Sequence, residues 1–220
     1  MKKENWREQC IPVHCQQKLA TTGMRDRCRQ PEKKKMEIDI NQKKISIGAE
    51  YKIFTNGNEK YFATKKLFRF LGEINLFDNS KERARYQIKQ NWAWFNLSYD
   101  LIRYDNNKFK LRTISIWKRH FECRIGEDLY EIFGHRGRKY SIYKNDSQIA
   151  WWDKEAVSWF NGDNYKMIAD EDSETELLIC FCVIMDNAKS QNDERTTVHY
   201  DFGNIGPQAK KFNQNWKPKN

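Results

Sequence analysis

Leu177-Leu-Ile-Cys-Phe-Cys-Val-Ile-Met185 is nine apolar residues without a break, and no other stretch of this 220-residue chain is apolar for so long. Ser173-Glu-Thr-Glu176 precedes it and has the form of a capping box. The serine hydroxyl can accept the Glu176 N–H, and the glutamate can reach back to the serine N–H. Asp170, Glu171 and Asp172 place further negative charge where a helix N-terminus is partly positive. Asp186 and Asn187 close the run. A fully buried strand would use the same residue types, since periodicity does not separate the two in so short a run. The cap favours a helix over about 173–187. Such a helix is apolar on every side and must be buried all round. It is well short of the roughly 20 apolar residues that span a membrane, so the protein itself must surround it.

The composition allows that. The chain is 39% hydrophobic and 14% aromatic, with 32% charged residues and a net charge of +10. The charge is unevenly placed. Residues 1–35 carry ten Lys/Arg against four Asp/Glu, and residues 188–220 carry six against three. The middle therefore nets only +1, which argues against a nucleic-acid binder built on the folded part. Within the middle, 108–139 holds nine basic and four acidic residues, whereas 146–186 holds two basic and ten acidic. One face can be positive although the sum is near zero.

Residues 1–35 lack periodicity and end in Pro31-Glu-Lys-Lys-Lys35, the composition of a disordered basic extension. Cys10, His14, Cys15 and Cys28 fall in it at spacings that fit no common zinc finger, so no metal is expected. Cys180 and Cys182 lie inside the apolar run and are expected to be small hydrophobes in a reducing, cytoplasmic setting.

From residue 43 the chain reads as short alternating strands. Tyr51-Lys-Ile-Phe-Thr55, then Asn56-Gly57, then Asn58-Glu-Lys-Tyr-Phe-Ala-Thr64 is a hairpin signal, because Asn-Gly accepts the positive φ angles of a type I′ turn. A two-strand unit recurs at Lys43–Phe54, Lys65–Phe77, Trp92–Tyr104, Thr113–Cys123 and Lys154–Ile168. Further turns are expected around Gly134–Gly137 and at Lys144-Asn145-Asp146. The middle is thus an antiparallel meander of about a dozen strands, which curls or closes to remove its edges. A closed barrel of that size leaves a lumen, and the apolar helix is a plug for it. After Asn187 the chain is polar again. Thr196–Phe202 is one more candidate strand, within a basic tail spanning 188–220.

The repeated units, Gln148-Ile-Ala-Trp-Trp-Asp-Lys-Glu-Ala-Val-Ser-Trp-Phe160, Tyr165-Lys-Met-Ile-Ala-Asp-Glu-Asp172 and the apolar helix ending in Asp186-Asn187 resemble the LURP-one-related proteins. These group with the tubby C-terminal domains and the phospholipid scramblases. The resemblance covers about 36–187 and implies a mainly β fold: a closed antiparallel barrel of about twelve strands around a central buried hydrophobic helix. Tubby domains bind phosphoinositides through basic surface residues, and scramblases bind calcium and carry lipidated cysteines. This chain departs from scramblases, because Cys10, Cys15 and Cys28 are scattered and no continuous calcium loop is present.

The strongest candidate surface is Lys118, Arg119, His120 and Arg124 with His135, Arg136, Arg138 and Lys139. Guanidinium and ammonium groups around a glycine-containing turn suit phosphate oxygens or an anionic lipid surface. Asp170, Glu171, Asp172, Glu174 and Glu176 match no calcium loop and are explained as helix capping. Trp92, Trp94, Trp117, Trp151, Trp152 and Trp159 are expected to pack in the core and across strands. Ser173, Glu176, Leu177, Leu178, Ile179, Cys180, Phe181, Cys182, Val183, Ile184 and Met185 are expected to form the central helix. No Gly-x-Ser-x-Gly, His-Glu-x-x-His or P-loop pattern is present, and His14, His120, His135 and His199 accompany no nucleophile. The expectation is a non-enzymatic module without a cofactor, cytoplasmic and peripheral to a membrane, whose partner is anionic lipid. The alternative is a scaffold that binds a protein and no lipid. Nucleic acid is not an expected partner.

Overall fold

The computed structural model describes residues 35–45, 48–66, 72–80, 82–91, 98–154, 163–193 and 206–219. The basic extension with Cys10, His14, Cys15 and Cys28, the indoles of Trp92, Trp94 and Trp159, and the candidate strand Thr196–Phe202 lie outside them.

The described residues contain twelve strands and one helix in chain order. They are β1 (Lys35–Ile45), β2 (Gly48–Thr55), β3 (Asn58–Lys66), β4 (Glu73–Asp78), β5 (Ala84–Asn91), β6 (Ser98–Arg103), β7 (Lys108–Ser115), β8 (His120–Ile125), β9 (Asp128–Gly134), β10 (Lys139–Lys144), β11 (Ser147–Lys154), β12 (Asn164–Asp170) and α1 (Thr175–Asp193). Each strand pairs antiparallel with its chain neighbours, and β1 pairs with β12 to close the barrel. An even number of up-and-down strands lets the first and last meet antiparallel, and closure removes every sheet edge.

The closing pair shows how alternation sets the two faces. Met36, Ile38 and Ile40 of β1 sit opposite Ala169, Met167 and Tyr165 of β12, and all six are buried. The intervening Glu37 and Asp39 oppose Ile168 and Lys166 on the outer wall. A one-residue slip would exchange the two sets, so the register is pinned by burial. Turn chemistry agrees. Asn56 and Gly57 take φ of 49° and 79°, and Asn145 and Asp146 take 48° and 63°, as paired positive angles in tight turns require. At Gly48 a Cβ would come within 2.1 Å of the Lys65 carbonyl oxygen, so β2 begins where only glycine fits.

The helix threads the lumen. Leu177 through Met185 are between 0% and 4% exposed. Phe181 packs on Tyr130 of β9 with ring centroids 5.9 Å apart, and Cys180 and Cys182 are buried free thiols. Its bounds differ from the expected 173–187. It starts at Thr175, and Glu176 gives its charge to Arg85 of β5 (Nε to Oε1, 2.8 Å). Glu174 Oε1 accepts the Tyr86 hydroxyl at 2.7 Å. Tertiary partners thus take the carboxylates that the capping box assigns to the helix itself. The helix also continues past Asn187 to Asp193. Asp186 and Asn187 are not a polar stop, because the barrel wall supplies their hydrogen bonds. Gln42 Nε2 and the Tyr51 hydroxyl donate to Asp186 Oδ2 at 2.9 and 2.7 Å, the Tyr165 hydroxyl donates to Oδ1, and Asn187 Nδ2 donates to the Tyr99 hydroxyl at 3.3 Å.

Residues 206–219 form a strap along the outer wall. Phe212 meets the rings of His135 and Trp151 edge-on at 5.2 and 5.5 Å, and Lys210 Nζ lies 3.6 Å from the Tyr143 ring centroid. Trp216 Nε1 donates to the Gln148 carbonyl at 3.0 Å, and the Lys219 N–H donates to Asp170 Oδ1 at 2.5 Å. Under the strap, the outward-facing Phe133 and Tyr143 are buried.

Candidate functional site

The outer wall carries a row of residues that are direct cross-strand partners: Lys139 of β10, Asp153 of β11, Lys166 of β12 and Asp39 of β1. The next row toward the β11 start places Trp151 beside Ile168. Lys139, Asp153, Lys166, Trp151 and Ile168, together with Arg138 and Lys154, line an open groove of 590 Å³. Its lining holds four cations, one carboxylate, an indole and an isoleucine. The cations come from three strands and one turn, so the sheet register, not the sequence order, brings them together.

The ion pairs in the groove are unequal. Lys154 Nζ is 2.5 Å from Asp163 and is held there. Lys139 Nζ is 3.8 Å from Asp153, and Lys166 Nζ is 3.9 Å from Glu37, at the outer limit of an ion pair. Glu37 is nearer to Lys35, at 2.6 Å, whose hydrogen bond holds its carboxyl below the usual range. The side chains of Lys139 and Lys166 are 40% and 52% exposed, and such pairs contribute about 0–1 kcal/mol. The Lys139 ammonium also sits 5.9 Å from the centroid of the Trp151 ring and 5.2 Å from that of Phe212 in the strap.

A niche of 20 Å³ shares Arg138 and Lys154 with the groove and is lined also by Arg119 and Asp186. Burial raises the Asp186 carboxyl above its ordinary pKa, against the pull of the Tyr165 and Tyr51 hydroxyls and of Lys154.

The sequence-derived basic cluster does not stay together. Arg138 and Lys139 line the groove. Arg119 faces the niche from a left-handed backbone position, φ 48°. Lys118 and Arg136 are exposed on the β7–β8 and β9–β10 turns, and Arg124 is exposed on β8. His120 stacks on Phe133 at 4.5 Å and places Nε2 3.0 Å from Glu131 Oε1. That ring sits beside Glu122 and Glu131, which are direct cross-strand partners, and the three offer ligand atoms within 4.8 Å of one another. His135 is not a surface group: it is 1% exposed, with Nε2 2.6 Å from Ser141 Oγ and the strap above it. Burial lowers its pKa, opposed by the Gln208 side chain and the Lys210 backbone.

Two of the groove's four cations escaped sequence reading. Lys154 and Lys166 are the sole cations of the acidic stretch 146–186, where summed charge hides them. The available signal was strand register, which aligns Lys166 with Asp153 and Asp153 with Lys139. The tryptophan expectation holds for Trp152, buried at 1% exposure, and fails for Trp117, which is 85% exposed. Trp117 falls on the β7–β8 turn, where no neighbouring strand covers it. The acidic group before the helix is structural: Asp170 receives Lys219, Glu174 receives Tyr86 and Glu176 receives Arg85.

A family model described as LURP-one-related matches residues 36–186, which takes in all twelve strands, but for Lys35, and the helix as far as Asp186. Comparison with curated proteins and with solved structures finds no match. With most of its length covered by that family model, the chain belongs to the LURP-one-related family, within the tubby-like superfamily.

Proposed function

We propose that this barrel is a non-enzymatic binding module for a phosphate-bearing group, and that its principal ligand is an anionic phospholipid at a cytoplasmic membrane surface. The observation that supports this reading is the groove: Arg138, Lys139, Lys154 and Lys166 converge around the apolar surface of Trp151 and Ile168. Charge-assisted donors suit phosphate oxygens, and the indole and isoleucine suit the glycerol or acyl side of a headgroup. No described helix is long and apolar enough to cross a membrane, so contact of this kind is peripheral where helices are concerned.

The test is co-sedimentation of the full-length protein with phosphatidylcholine vesicles, with and without phosphatidylserine, at low and physiological salt. Lys139→Glu/Lys166→Glu should weaken binding to the anionic vesicles by about tenfold or more, since each basic residue near such a surface is worth about 1 kcal/mol. The double variant should melt like the parent, because its ion pairs are exposed. Calorimetric titration with a soluble inositol phosphate separates a lipid surface from a free phosphorylated ligand. Undiminished vesicle and inositol phosphate binding by the double variant would exclude the groove and direct the search to protein partners.

A further inference from the structure

Five large apolar side chains are exposed among the described residues, and three of them, Ile114, Ile116 and Trp117, fall within four consecutive positions. They are 50%, 51% and 85% exposed at the β7–β8 hairpin tip. Lys118 and Arg119 follow directly. The adjacent β9–β10 turn contributes Arg136 and Arg138, and it is tied to the tip by the Gly134 N–H donating to the Arg119 carbonyl at 2.9 Å. No Asp or Glu occurs in 113–119 or in 134–139.

We propose that this tip enters the interface of an anionic bilayer, with Ile116 and Trp117 at the headgroup–acyl boundary and Lys118, Arg119, Arg136 and Arg138 on lipid phosphates. Charge complementarity selects this occupant. An apolar protrusion whose own turn and the adjacent turn carry cations and no carboxylate meets an apolar interior beneath a negative surface, which is the layering of an anionic leaflet. Tryptophan is the residue type that favours that depth. The backbone is prepared for it. The Arg119 N–H donates to the Ile116 carbonyl at 3.1 Å and the Lys118 N–H to Ser115 Oγ at 3.2 Å. These two N–H groups are therefore satisfied within the tip when it leaves water, where an unpaired peptide group would be costly. Arg138 belongs to both the tip cluster and the groove lining, so an inserted tip sets the end of the groove at the headgroup layer.

This inference rests on the membrane-surface reading above but does not require the groove. Trp117 is one of eight tryptophans, so its signal is taken as the difference between full-length parent and Trp117→Phe. With phosphatidylserine-containing vesicles whose acyl chains are brominated, that difference emission should shift to the blue and be quenched. Ile116→Ala/Trp117→Ala should partition onto the same vesicles about tenfold more weakly, with an unchanged melting temperature and unchanged calorimetric binding of inositol phosphate. Loss of inositol phosphate binding in Lys139→Glu/Lys166→Glu with Trp117 quenching retained supports the tip. Sedimentation of the parent without quenching of Trp117 overturns the tip and leaves the groove standing. Failure of the parent to bind anionic vesicles overturns the tip, and inositol phosphate titration then judges the groove alone.

Discussion

Asp186 is a carboxylate inside an apolar barrel, and its environment defines what a substitution there would do. Tyr165, Tyr51 and Gln42 all donate to it. Asp186→Ala removes the acceptor. Gln42 and Tyr51 keep their own 3.1 Å bond, while the Tyr165 hydroxyl loses the acceptor that Asp186 provides. A buried donor without a partner costs about 1–3 kcal/mol, so a loss of roughly 2–4 kcal/mol is expected in urea unfolding, with a smaller loss for Asp186→Asn. His135 gives a pH dependence of definite sign. Burial lowers its folded-state pKa below the ordinary 6.5, so the unfolded chain binds the proton more readily. Its contribution is complete above about pH 6.5 and is lost as pH falls through the folded value. Phe212 covers the ring, and opening the strap returns water to a protonated His135; this relief of burial, working against the Gln208 and Lys210 contacts that favour the charged ring, should make the strap loosen first. The intrinsic exchange rate falls between pH 7.5 and about pH 5, so the test is the protection factor: protection of residues 206–219 should drop over that range, and His135→Gln should abolish the drop.

At the scale of elements, the helix and the strap make opposite cases. The helix was legible because nine consecutive apolar residues have no other place to go. Its C-terminal end was not legible, because Asp186 and Asn187 read as solvent-facing until the wall residues that bond them are known. Ile179→Asp places an unpaired charge at a site with 0% exposure. The cost exceeds the roughly 5–15 kcal/mol by which domains are stable, so no cooperative melting transition should remain. A variant that melts like the parent would remove the helix from the lumen. The strap gave no sequence signal. Phe212 and Trp216 are isolated aromatics in a polar segment, and only the outward-facing ledge of β9–β11, with the Trp151 ring and the Gln148 carbonyl, gives them partners.

For the whole molecule, closure is the governing fact. Pairing β1 with β12 joins Ile38 to Met167, across most of the barrel sequence. Loop closure on that scale precedes the contacts that reward it, so refolding followed by stopped-flow tryptophan fluorescence should take milliseconds to seconds, as for other β folds of high contact order. An amplitude completed within microseconds would contradict a barrel that closes as a unit. The sequence by itself determined the alternation, the Asn56-Gly57 and Asn145-Asp146 turns, the buried helix and hence a closed barrel, because these follow from local backbone preference and from apolar surface that must leave water. Tertiary structure alone decided which cations share a groove, since Lys139, Lys154 and Lys166 are neighbours through strand register. It likewise buried His135, exposed Trp117, and gave Asp186 its partners. Burial and charge proximity are properties of the assembled wall, and the same residue type is core, ligand site or protrusion according to where the pairing places it.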